Sequence, residues 1–198
     1  MRGIAGAPWR RRIRDSIDMS SLNCGMRFIM QAMMKMIKLE HESGRVGLVC
    51  RMDLFQVDDD GQLFISPAIE DWDSVARFEI DTVIDLDGGL DSCIPTCPDQ
   101  CLYVYFPIGD DDQRLPNLSK LRALGQFGAA LIRGGHRVLS HCGMGYNRSA
   151  LVAGLILVEL GMAGPAAVVR CRERRPGALY NPMFAAFLES LGPGATQT

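Results

Sequence analysis

The passage that most constrains this chain runs from residue 137 to residue 160. Arg137-Val138-Leu139-Ser140-His141 reads as a short buried strand. Cys142 to Asn147 (CGMGYN) is a loop carrying two glycines, and Arg148 to Leu160 (RSALVAGLILVEL) is a largely apolar helix. Upstream, Asp81 to Leu86 (DTVIDL) and Cys101 to Ile108 (CLYVYFPI) read as two further buried strands, the first ending at Gly88-Gly89 and the second stopped at Pro107. Leu118, Leu121, Leu124, Gly128 and Leu131 recur at helical spacing, and Gly134-Gly135 ends that helix. Strands alternating with helices predict an α/β fold with a mostly parallel central sheet flanked by helices on both faces. A chain of 198 residues, 47% hydrophobic, suits one such domain with a sizeable core.

The rest of the chain divides at about residue 45. Residues 1–45 read as a basic leader followed by a methionine-rich helix over 22–39, and residues 46–198 as the catalytic domain. Arg27, Gln31, Lys35 and Lys38 share one face of the 22–39 helix, so a membrane-surface role is open to it beside simple packing. Asp58-Asp59-Asp60-Gly61 lies between two strand-like runs and reads as a hairpin turn rather than a calcium loop, because no spaced ligand set follows. Asp71 or Asp73 is placed to cap a short helix through Phe78. A helix over 165–174 and another opened by Asn181-Pro182 close the chain. A net charge of -2 argues neither for nucleic acid nor for an anionic membrane, and a nucleic-acid partner is not expected. Seven cysteines without a secretory leader point to a reducing, cytoplasmic setting with free thiols, including Cys93, Cys97 and Cys101.

The chemistry concentrates in the 141–149 segment. A glycine-bearing loop between a strand and a helix can turn successive backbone N–H groups inward, making an anion-binding nest at a helix N-terminus. Gly143 and Gly145 are expected to supply the positive φ angles and the close backbone approach. Such a nest, with Arg148 beside it, favours the thiolate of Cys142, which is the nucleophilic form. The planar fork of Arg148 suits two equatorial phosphoryl oxygens. Ser149 is placed to donate a hydrogen bond to a departing thiolate, and His141 to orient the loop through backbone contacts. No metal or other cofactor is called for.

His141-Cys142-x-x-Gly145-x-x-Arg148-Ser149 resembles the phosphate loop of the protein tyrosine phosphatase superfamily, with every defining position filled. The similarity spans residues 46–191. Without a Trp-Pro-Asp loop, and being short for a classical tyrosine phosphatase, the chain resembles the smaller dual-specificity branch in an atypical, bacterial-type form. The resemblance implies hydrolysis of a phosphomonoester on a phosphorylated protein or peptide through a phosphocysteine intermediate, with Met144, Tyr146 and Asn147 completing the phosphate-binding loop. It also implies a general acid on a loop upstream of the cysteine. Here that loop is Pro107 to Pro116, in which the register Pro-Ile-x-Asp selects Asp110, the preferred candidate. Counting back from the following helix selects Asp112 instead; Asp111 points away or orients water. Other readings stay open: a phosphate-binding pseudophosphatase, a rhodanese-type sulfurtransferase, an RNA 5'-polyphosphatase (for which Asn147 before the arginine has parallels), or a phosphoinositide phosphatase. The absence of loop lysines weakens the last of these.

Overall fold

The computed structural model describes residues 53–194. The leader and the methionine-rich helix expected over 1–45 lie outside the described residues, as does the start of the first strand-like run.

Five strands form one sheet in the order β1-β2-β5-β3-β4. Strands β1 (Phe55–Gln56) and β2 (Leu63–Ser66) make the expected hairpin, the sheet's one antiparallel pair. The acidic turn is built from inside: the Asp58 carboxylate accepts from Gln62 N and Leu63 N at 3.0 Å, while Gly61 takes φ +73°. Asp59 turns outward to pair with Arg170 and Arg174. Beyond β2, Asp71 caps the one-and-a-half-turn helix α1 (Trp72–Arg77) by accepting from Asp73 N.

Strand β5 (Val138–His141) is central, pairing in parallel with β2 on one side and β3 (Thr82–Asp85) on the other. Its register sets Ser66 and Asp85 opposite His141, so three strands end level at their carboxyl edge. That edge is where open α/β sheets bind ligands. Strand β4 (Leu102–Tyr105) departs from the sequence expectation. It pairs only with β3, and Leu102 and Tyr105 are exposed, because it lies on the sheet's edge rather than in its middle.

The two faces of the sheet are covered unequally. Phe64, Val83 and Leu139 face α1 and pack with its Val75. Leu63, Ile65 and Ile84 face the larger layer of helices α2 (Leu118–Arg133), α3 (Arg148–Glu159), α4 (Gly164–Arg174) and α5 (Pro182–Glu189). In α3 every residue after Arg148 is buried. Each fully buried leucine or isoleucine there contributes about 1.5–3 kcal/mol, which anchors the helix N-terminus at the carboxyl edge. No helix among the described residues is long and apolar enough to cross a membrane.

Candidate active site

Cys142 follows β5 directly and is 2% exposed. The loop curls over it so that Gly145 N donates to its Sγ at 3.3 Å. Gly145 has φ +69°, and a Cβ there would lie 2.5 Å from the carbonyl carbon of Ser66. Both conformation and space therefore require glycine. Gly143 differs from expectation: its φ is not positive, and a Cβ would meet Asp87 Oδ2 at 3.2 Å and Arg148 Nη2 at 3.4 Å. Its smallness matters because side chains crowd it. Ser149, wholly buried in the first turn of α3, has its Oγ 3.6 Å from Cys142 Sγ. At Cys171, also buried, burial pushes the thiol up to about 12.

Arg148 is held along one edge. Its Nη1 donates to Leu86 O at 3.1 Å, Asp87 Oδ1 at 3.0 Å and Ile108 O at 3.5 Å. Its Nε is buried without a hydrogen-bond partner among the described residues. The Nε–Nη2 edge, the side of a guanidinium that forms a two-pronged donor, thus has no partner at Nε, and its Nη2 lies beside Gly143.

His141 is fully buried, and its surroundings are not those anticipated. Leu86 N does donate to its carbonyl at 3.1 Å, the backbone contact expected of it. In addition its Nε2 lies 2.8 Å from Asp91 Oδ2 and 3.5 Å from Asp85 Oδ1. Tyr103 Oη bridges the two carboxylates, at 2.5 Å from Asp85 Oδ2 and 2.9 Å from Asp91 Oδ2. Burial, then the hydrogen bond to Asp85, raises the Tyr103 phenol. Asp85, Asp91 and His141 are the one group among the described residues close enough to share a cation. Tyr103 ties the two carboxylates together, while both ring nitrogens of His141 are buried without a hydrogen-bond partner among the described residues.

The acidic loop after β4 resolves into unlike parts. Asp110 accepts from Asn147 Nδ2 on Oδ2 and from Asn181 Nδ2 on Oδ1, each at 2.8 Å. Asp111 accepts from Gln113 N within its own turn. Asp112 is exposed, and no hydrogen bond of its side chain occurs among the described residues. Tyr180 stands exposed on the rim, its ring 6.4 Å from that of Tyr146. Met144 is exposed on the same loop.

Several contributors went unseen in the sequence. Asp87 and Asp91 sit just past β3 in a run that reads only as a strand end, and Asn181-Pro182 reads only as a helix cap. Arg175 has a structural place beside the loop. Its guanidinium is packed between the Phe55 and Tyr146 rings at 3.9 and 4.1 Å and donates to the Gly145 and Met144 carbonyls. Arg172 donates to Ala178 O and Leu179 O, and Arg174 pairs with Asp59.

A central strand, a cysteine loop and a buried helix at the carboxyl edge of a mostly parallel sheet define an α/β protein with a cysteine loop at that edge. Solved structures narrow the class. Tk-PTP in its active form shares 26% identity, covering 69% of this chain and 95% of its own, with a TM-score of 0.54. Human DUSP28 shares 24% over 69% of this chain and 90% of its own, at 0.58. The human tyrosine phosphatase-like serine/threonine/tyrosine-interacting protein shares 20% over 70% and 95%, at 0.57. No protein-family model and no curated protein matches the chain. The fold of the chain is that of dual-specificity phosphatases.

Proposed function

We propose that the protein hydrolyses phosphomonoesters through a phosphocysteine intermediate, acting on phosphotyrosine or phosphoserine/threonine proteins. The observation that carries this reading is the pairing of a nucleophile with an open clamp. Cys142 Sγ faces an inward-turned N–H, and Arg148 is anchored through Nη1 while its buried Nε has no partner among the described residues. A phosphoryl group seated on the loop would take that Nε–Nη2 edge with two equatorial oxygens, placing phosphorus above the thiolate.

In the first step the Sγ lone pair attacks phosphorus, the S–P bond forms and the bond to the ester oxygen breaks. The Asp110 carboxyl gives its proton to that oxygen. In the second step water attacks phosphorus and loses a proton to the Asp110 carboxylate. The S–P bond breaks, and the departing thiolate accepts a hydrogen bond from Ser149 Oγ.

The rim bears on substrate. Gly143, Met144 and Tyr146 bring no cation to the loop, and Asp110, Asp111, Asp112, Tyr180, Asn181 and Pro182 line the adjoining cleft. An acidic, aromatic wall repels polyanions and admits a peptide, which disfavours phosphoinositides and RNA 5'-triphosphates. The test is a panel of phosphotyrosine and phosphoserine peptides, phosphoinositides, a 5'-triphosphate RNA and an aryl phosphate, run with vanadate and with EDTA. Turnover of peptides and aryl phosphate, competitive inhibition by vanadate and indifference to EDTA are expected. Phosphate binding without turnover of any ester would instead make the protein a pseudophosphatase.

A further inference from the structure

We infer that Asn147 is a positioning residue for proton transfer: through its side-chain amide the phosphate loop itself holds the Asp110 carboxylate, with Asn181 as the second jaw. The inference rests on the reading of Asp110 as the general acid.

Asn147 occupies the N-cap position of α3, where an asparagine ordinarily accepts from the backbone of its own helix. It makes no such bond. The side chain, 1% exposed, turns outward from the helix instead. Its Nδ2 donates to Asp110 Oδ2 at 2.8 Å, and its Oδ1 accepts from Asn181 N at 3.0 Å. Asn181 behaves in the opposite way. Its Oδ1 does cap its helix, accepting from Met183 N and Phe184 N. Its Nδ2 donates to Asp110 Oδ1 at 2.8 Å and to Asp111 O at 3.0 Å.

Neither amide can be reversed. A flipped Asn147 would set its oxygen against a carboxylate and its amino group against the Asn181 N–H. A flipped Asn181 would turn an amino group toward two helix N–H groups. Each oxygen of Asp110 thus receives one amide of fixed sense, although Asp110 itself is exposed on a loop. A carboxylate there would otherwise sample several rotamers. Asn147 is adjacent to Arg148, so the residue that aims the acid is covalently next to the residue that clamps the phosphoryl group. Asn147 forgoes its helix cap, and its amide nitrogen is spent on Asp110 instead.

A residue acting through the acid matters in proportion to the leaving group's need for a proton. An alkoxide from serine needs one, whereas an aryl group with an acidic phenol departs nearly unaided. The test is a double-mutant cycle with Asn147→Ala and Asp110→Asn, measuring kcat on a phosphoserine peptide and on a nitrophenyl phosphate. Asn147→Ala is expected to lower kcat on the peptide about tenfold or more beyond its effect on the aryl ester, within the range general acids supply. In the Asp110→Asn background the same change should add less than about threefold. Equal losses on both substrates, or full additivity in the double mutant, would overturn the inference and leave Asn147 a structural residue. If Asp110→Asn itself shows no leaving-group selectivity, the acid assignment fails, which is distinguishable from failure of Asn147 alone. Should Asn147→Ala not fold, Asn147→Ser provides the same readout, because serine caps α3 but is too short to reach Asp110.

Discussion

Gly145 donates its N–H to Cys142 Sγ from 3.3 Å, and the backbone of Ser66 and Pro67 fills the space a Cβ on Gly145 would need. The contact couples the nucleophile to the end of β2, and it discriminates between the two loop glycines. Gly145→Ala places a Cβ 2.5 Å from backbone that cannot yield, at φ +69°. It should cost at least about 2 kcal/mol of stability and abolish turnover. Gly143→Ala meets only the ends of the Asp87 and Arg148 side chains, so it should lower activity with little change in melting temperature. Calorimetry beside an aryl phosphatase assay decides, and a larger stability loss for Gly143→Ala would contradict the geometry.

Cys142→Ser should abolish turnover and leave the fold intact, because the change is nearly isosteric and a serine hydroxyl is not ionised in this loop. Ser149→Ala should act later. Its Oγ lies 3.6 Å from Sγ, placed to assist departure of the thiolate rather than its attack. Rapid-quench experiments should then show a burst of released phenol with slow phosphate release. A slowed burst would place Ser149 in the first step.

Arg148→Lys keeps the charge and loses the fork, and at least about a hundredfold loss of kcat/KM is expected. Its anchor, Asp87, makes a pH-dependent contribution. Partial burial opposes ionisation of Asp87, but the Gly88 N–H and the Arg148 guanidinium outweigh it and hold its carboxyl below the usual carboxylate range. A carboxyl lowered on folding stabilises fully above its unfolded value of about 4 and stops doing so as pH falls through its folded value. The melting-temperature gap between the parent protein and Asp87→Asn should therefore be steady from pH 5 to 7, as roughly bounded by that value, and shrink in acid. A gap independent of pH would mean the ion pair contributes nothing.

The scaffold was largely legible in the sequence because its signals are local. The strand, glycine loop and apolar helix around Cys142, the Gly134-Gly135 stop and the Asn181-Pro182 start all act over one turn or less. Strand β4 was misplaced as buried because CLYVYFPI is as apolar as an inner strand, and only pairing reveals that it lies at the edge. The surroundings of His141 were hidden for a related reason. Asp85 comes opposite it through the β3–β5 register, and Tyr103 reaches both carboxylates from the neighbouring strand. The Pro-Ile-x-Asp register favours Asp110 over Asp112 but does not show what holds it, because its partners Asn147 and Asn181 are distant in sequence.

That separation yields the sharpest prediction for the proposed mechanism. Asp110 and Asp112 are two residues apart and both exposed, yet only Asp110 is joined to the loop that carries Cys142 and Arg148. A proton donor must be held within hydrogen-bonding reach of the ester oxygen, and a carboxylate fixed on both oxygens by side-chain amides meets that demand better than one free in solvent. Asp110→Asn should remove the alkaline limb of kcat against pH, and reduce kcat on a phosphoserine peptide about a hundredfold or more. On a nitrophenyl phosphate the loss should be much smaller. Asp112→Asn should leave the pH profile in place and change kcat on either substrate by less than about threefold, as expected of an exposed side chain outside the reacting geometry. If Asp112→Asn carries the leaving-group dependence instead, the loop must close over the substrate in a register other than the one that binds Asn147 and Asn181. If neither variant alters the profile, the proton comes from outside this loop, and Asp110 serves only to fasten the loop to the asparagines.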